Sequence, residues 1–189
     1  MKINKNIIWS FILLVIIASI YRIIPGRPWG FAPQIAMALF AGSIIKDKKY
    51  SFLLPLLSML VSDVLYEVLY QNGLTTIQGF YGGQLSNYIL FVGLTIIGFW
   101  VKKNNVAHII GGSLASATVY FIASNFLSWI AGTDINNVPY TKNWAGIVEC
   151  YTAALPFYVN SIYATLLFSG ILFGAYYLIS KPSAQKTIA

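Results

Sequence analysis

The chain of 189 residues is 58% hydrophobic and only 9% charged, with a mean hydropathy of +0.71, whereas a soluble domain carries about 25% charged residues. This composition excludes a soluble globular fold, and the length leaves room for one membrane domain but none for a separate catalytic domain. The net charge of +7 does not point to nucleic acid, because the lysines form short clusters at the ends of apolar runs, as in the cytoplasmic loops of membrane proteins.

Lys2 and Lys5 precede an apolar run at 7–24. The run is longer than a signal-peptide core and no small-x-small cleavage site follows it, so it reads as an uncleaved first span. PGRPWGFAP, from Pro25 to Pro33, cannot continue a helix and reverses the chain. The second apolar run, 33–45, is short for a span and is either a supported, tilted helix or re-entrant. Its small residues fall four apart, Ala32 with Ala36 and Ala38 with Gly42, which permits close approach of another helix.

After the turn KDKKY comes the span 52–69, FLLPLLSMLVSDVLYEVL, the element expected to organise the bundle. It carries Asp63 and Glu67 four residues apart on one face, and a charge at the bilayer centre costs about 2.5–3.5 kcal/mol. The pair must therefore face protein or water. Two readings meet that demand: a functional site, or a structural ion pair with Arg22 or Arg27. The loop YQNGLTTIQGFYGGQ reads either as a lid over a site or as a plain interfacial loop.

The fourth span, 85–101, stops at Lys102 and Lys103, and the fifth covers 106–130, with Asn125 and Trp129 one turn apart at its outer end. AGTDINNVPYTKNW is an external loop, and the stretch 144–156, with Trp144, Glu149 and Pro156, is too short to span. It is expected as a short outer-surface or re-entrant helix before the last span, 158–179, whose Gly170 and Gly174 form a GxxxG pair.

The expectation is thus an all-α membrane protein, a single domain of six transmembrane helices with both termini inside. Nine of the twelve basic residues then fall in cytoplasmic segments, and the five tryptophans fall at the two interfaces.

On that topology Asp63, Glu67, Asn125 and Glu149 lie toward the outside among Trp129, Trp144 and other aromatics, as a small-molecule site would. The alternative is an aromatic belt with solvated or paired acids. No GxSxG, P-loop, HExxH or dinucleotide fingerprint occurs, and His108 falls a bilayer away from the carboxylates. With one Cys and one His in the chain, no enzyme activity, cofactor or resident metal is expected.

Three stretches together, GFAPQIAMALFAG (Gly30 to Gly42), PLLSMLVSD (Pro55 to Asp63) and CYTAALPF (Cys150 to Phe157), carry a family likeness. The chain resembles small bacterial membrane proteins, common in the Bacteroidetes, that are grouped with the substrate-binding S components of energy-coupling factor (ECF) transporters. The resemblance implies a protein of the bacterial cytoplasmic membrane that takes up a vitamin-like molecule or metal ion, driven by a separate membrane coupling subunit and ATPases. One departure is that 7–24 lacks the paired small residues with which S components dock that subunit, Ala18 standing alone against Leu14 and Arg22. The expected ligand-binding set is Asp63, Glu67, Asn125, Trp129, Trp144 and Glu149, with Arg22 as the counter-charge. A solitary or ion-coupled transporter and a structural or assembly subunit are the alternatives.

Overall fold

The computed structural model describes residues 5–134 and 137–180. The expected inner placement of Lys2, Lys181 and Lys186 lies outside these residues. Seven helices follow in order: α1 (Lys5–Ile23), α2 (Gln34–Ile44), α3 (Lys48–Ser51), α4 (Leu53–Gln71), α5 (Gln84–Gly98), α6 (Val106–Ala131) and α7 (Trp144–Ser180). The described residues form no named strand; a single bridge joins Thr133 and Pro139. Three helical segments are long and apolar enough to cross a membrane: Lys48–Gln71, Val106–Ala131 and Trp144–Ser180.

The bundle is organised around α2, not around α4. Every residue of α2 from Gln34 to Gly42 is buried, and α3, α4, α5, α6 and α7 all pack on it. A helix that is apolar all round belongs at the centre of a bundle. Met37, Leu39 and Phe40 pack with Val15, Ala18, Leu54 and Phe173, while Ile35 and Ala38 pack with Met59, Phe91 and Leu94. At 11 residues, α2 is about 16 Å long, half the thickness of a bilayer core. The chain then leaves helical geometry at Ile45, and the Lys48 ammonium caps the Gly42 carbonyl at 2.5 Å.

The small residues of α2 serve the close approach their spacing suggests. A Cβ on Gly42 would collide with the Thr95 carbonyl and lie 2.9 Å from the Gly98 Cα, so α2 and α5 touch backbone to backbone. A Cβ on Gly170 or Gly174, by contrast, would meet nothing within 4 Å among the described residues.

The expected break between 144–156 and 158–179 is absent. One continuous helix of 37 residues, about 55 Å, runs through Pro156. Proline deprives the Thr152 carbonyl of its helical donor, but membrane helices tolerate this where a neighbour supports the backbone. Here α6 is that neighbour. Tyr151 donates to the Ile122 carbonyl at 2.7 Å, and Phe121 packs edge-on against Tyr151 and stacks on Tyr158.

The 24–33 loop lies on α7 at Asn160 and Ser161, which donate to the Trp29 and Gly30 carbonyls at 2.9 and 3.0 Å. Beyond that level, 121–131 and 144–156 continue as a two-helix arm about 20 Å long. Among the described residues, the hydrogen bonds and ring contacts of these two segments stay within the α6–α7 hairpin.

Candidate functional site

A polar seam joins α1 to α4. Ser19, fully buried, shares its one hydroxyl proton between the Val15 carbonyl of its own helix and the Ser58 carbonyl of α4, at 2.7 and 2.9 Å. One turn on, Arg22 forms an ion pair with Asp63 and donates to Ser62 Oγ at 2.6 Å. Tyr66 closes the seam by donating to the Arg22 carbonyl at 2.6 Å, with the guanidinium 5.7 Å from its ring centre. Small side chains at Ser19, Ser58 and Ser62 let the helices approach closely enough for this pairing.

The buried Asp63 carboxylate is engaged on both oxygens. Oδ1 takes Arg22, while Oδ2 accepts from Gln84 Nε2 at 2.6 Å and Tyr88 Oη at 2.7 Å. Gln84 and Tyr88, one turn apart at the start of α5, thereby tie α5 to α4. Neither belonged to the expected set, although their four-residue spacing directly after Gly82 and Gly83 would have placed both on one face of a first turn.

Glu67 does different work. Its Oε1 accepts from Gln71 at 2.7 Å and its Oε2 from the Gly79 amide at 3.1 Å, so it straps the 72–83 loop to α4. Gln84 holds the same turn through the Gly79 carbonyl at 3.1 Å. Only glycine fits at 79, since a Cβ there would fall on the backbone of Asp63 and Glu67.

Two cavities open beside this seam. The larger, about 390 Å³, lies between the two loops, with Arg22, Asp63 and Tyr66 below and Arg27, Gln78 and Tyr81 around it. The smaller, about 160 Å³, reaches toward α2 and is lined by Gln34, Ile35, Phe91 and Tyr120. Arg22 and Tyr81 line both. With Asp63 neutralised by Arg22, the larger cavity carries one excess positive charge, that of Arg27, which has no ion pair among the described residues.

The remaining members of the expected set lie elsewhere. Asn125, Trp129, Trp144 and Glu149 sit on the α6–α7 arm and line neither cavity. Asn125 donates to the Phe121 carbonyl of its own helix at 2.7 Å. Trp129 donates to the Thr141 carbonyl at 2.9 Å, with the Lys142 ammonium 5.8 Å from its ring centre. Trp144 is 76% exposed and Glu149 is exposed. Tyr140, in the loop that closes the arm, has its hydroxyl pushed up from the ordinary value by burial and by Cys150. The structure therefore brings Asp63 and Arg22 together, leaves Glu67 one turn on as a strap for the loop and outside both cavities, and separates all three from the arm's aromatics.

These features define an all-helical protein with three helices able to cross a membrane and a charged cavity lined by two loops at one end of the bundle. The chain belongs to DUF6580, a family of unknown function, which it matches over residues 2–187. No curated protein and no solved structure matches it.

Proposed function

We propose that the protein is the substrate-binding membrane subunit of an uptake system, resembling an ECF S component, and that its ligand occupies the paired cavities beside Arg22 and Asp63. The short central α2 and the shorter helices α1 and α5 complete a six-span, N-in and C-in bundle in the bacterial cytoplasmic membrane. The loops 24–33 and 72–83 then face outward over the site.

The observation that carries this reading is the larger cavity itself. Its volume of about 390 Å³ falls within the roughly 300–1,000 Å³ of small-molecule sites, and it combines aromatic walls with a few convergent polar groups. The ion pair with Asp63 at its floor, with the bond from Arg22 Nη1 to Ser62, holds Arg22 in a fixed orientation, which lowers the ordering cost of binding. Among the described residues no three His, Cys, Asp or Glu converge, and the cavity's excess charge is positive. Of the two ligand classes that the resemblance implies, an organic molecule therefore fits better than a metal cation. The chain carries no ATPase motif, so a membrane coupling subunit and ATPases would supply the energy.

Native mass spectrometry of the protein purified in mild detergent from its own host tests this reading. A co-purifying small molecule together with coupling and ATPase subunits is the expected result. A ligand-loaded protein without such partners would favour a solitary or ion-coupled transporter. An empty protein bound only to non-transport partners would overturn the proposal in favour of a structural or assembly subunit.

A further inference from the structure

Two buried polar atoms without a partner among the described residues belong to side chains that line the paired cavities, and they are opposite in kind. Arg27 Nε, a donor, belongs to the larger cavity's lining; Gln34 Oε1, an acceptor, to the smaller one's. Leaving such a group unsatisfied costs about 1–3 kcal/mol, so a ligand that reaches either atom gains by supplying the missing partner.

The identity of the Gln34 atom follows from its neighbour. Gln34 is 3% exposed, and its amide nitrogen faces the Ala18 carbonyl at 3.4 Å. A carbonyl only accepts, so the nitrogen points there and the oxygen points away from it. A ligand that reaches this oxygen must therefore present an N–H or O–H donor at the Gln34 end.

At the other end the demand is for an anion. Arg27 spends Nη1 on the Phe31 and Pro28 carbonyls of its own loop, at 2.6 and 3.3 Å, and has no carboxylate partner among the described residues. Arg22 makes all its described hydrogen bonds through Nη1 as well, although a guanidinium carries five N–H donors. Both arginines line the larger cavity, and Asp63 balances only one of them. In the smaller cavity with Gln34, Phe91 and Tyr120, whose ring centres are 5.5 Å apart, offer aromatic surface to a flat body.

On the reading that these cavities hold the transported ligand, we infer that this ligand is an organic acid, a flat molecule with a carboxylate set between Arg22 and Arg27 and an N–H donor directed to Gln34. An acidic pair facing the cavity would select a cationic or proton-donating group. Both acids are instead consumed within the protein, Asp63 by Arg22, Gln84 and Tyr88, and Glu67 by Gln71 and Gly79.

The test uses the full-length protein in detergent and a matched panel. The panel contains aromatic carboxylates bearing a ring or amide N–H, with the methyl esters, primary amides and N-methylated forms of the same acids. Binding is read by ligand-induced shift of the unfolding temperature and by titration calorimetry. The acids with a free N–H should bind, and the esters and N-methyl forms should bind about tenfold or more weakly, as expected for loss of one charged or buried hydrogen bond.

Arg27→Gln should erase the preference for acid over ester. Arg27→Lys should retain part of it, and Gln34→Met should erase the preference for free N–H alone. Two substitutions in different elements keep the result readable if one variant fails to fold. Esters, amides or cationic compounds binding as well as the acids would overturn the organic-acid assignment while leaving a binding site in place. No binding by any member, with an empty protein in native mass spectrometry, would overturn both the assignment and the uptake reading beneath it.

Discussion

Replacing Asp63 with asparagine would leave the Arg22 guanidinium, 19% exposed at its side chain, without its counter-charge inside the bundle. Breaking a buried pair from one side costs about 3–5 kcal/mol, and Arg22's partial exposure puts Asp63→Asn near the lower end. Replacing both residues by leucine should cost less than the sum of the single replacements, because no unpaired charge remains. Thermal unfolding in detergent checks both statements, and an Asp63→Asn protein as stable as the wild type would contradict them. Glu67 answers to a different measurement. In Glu67→Ala the Gly79 amide loses its acceptor, so hydrogen exchange in the 72–83 loop should rise, whereas Glu67→Gln keeps an acceptor and should fall between. Unchanged exchange in Glu67→Ala would show that the loop does not depend on this strap.

At the scale of elements, the helix most hidden in the sequence is the one the bundle needs most. An apolar run of only about 13 residues reads as a marginal span, and single-sequence periodicity does not distinguish a lipid-facing helix from one buried on every side. Its small residues were the legible signal. Gly42 meets Gly98 backbone to backbone, so Gly42→Ala should destabilise by about 1–3 kcal/mol despite alanine's better helix propensity. Gly174→Ala, which points into open space, should be neutral or slightly stabilising. Equal effects at the two positions in thermal unfolding would contradict this packing. The last two apolar stretches show the opposite failure: Pro156 reads as a boundary, yet α6 supplies the contacts that carry α7 through it.

For the whole molecule, the sequence left open how far the helices run past one another. It put Asp63, Glu67, Asn125, Trp129, Trp144 and Glu149 toward one end of their helices, but not which of them meet. That depends on how far α6 and α7 run past the 24–33 loop, a property of the packed bundle rather than of any one segment. Arg27 entered the sequence reading only as a candidate ion-pair partner of the acids on α4, and Gln34 was not singled out, because a lone glutamine at the start of a short apolar run carries no signal of what it will face. The carboxylates on α4 were visible, but the donors on α5 that engage Asp63 become relevant only once the loop folds back.

The central claim is that the ligand sits in the cavities beside Arg22 and not among the aromatics of the arm. Its most direct test is native mass spectrometry of ligand retention in two well-folded, monodisperse variants. Ala32→Phe fills the smaller cavity, while Trp129→Ala strips the arm. The account predicts that Ala32→Phe emerges empty and Trp129→Ala keeps its ligand; a ligand lost from Trp129→Ala and kept by Ala32→Phe would contradict it.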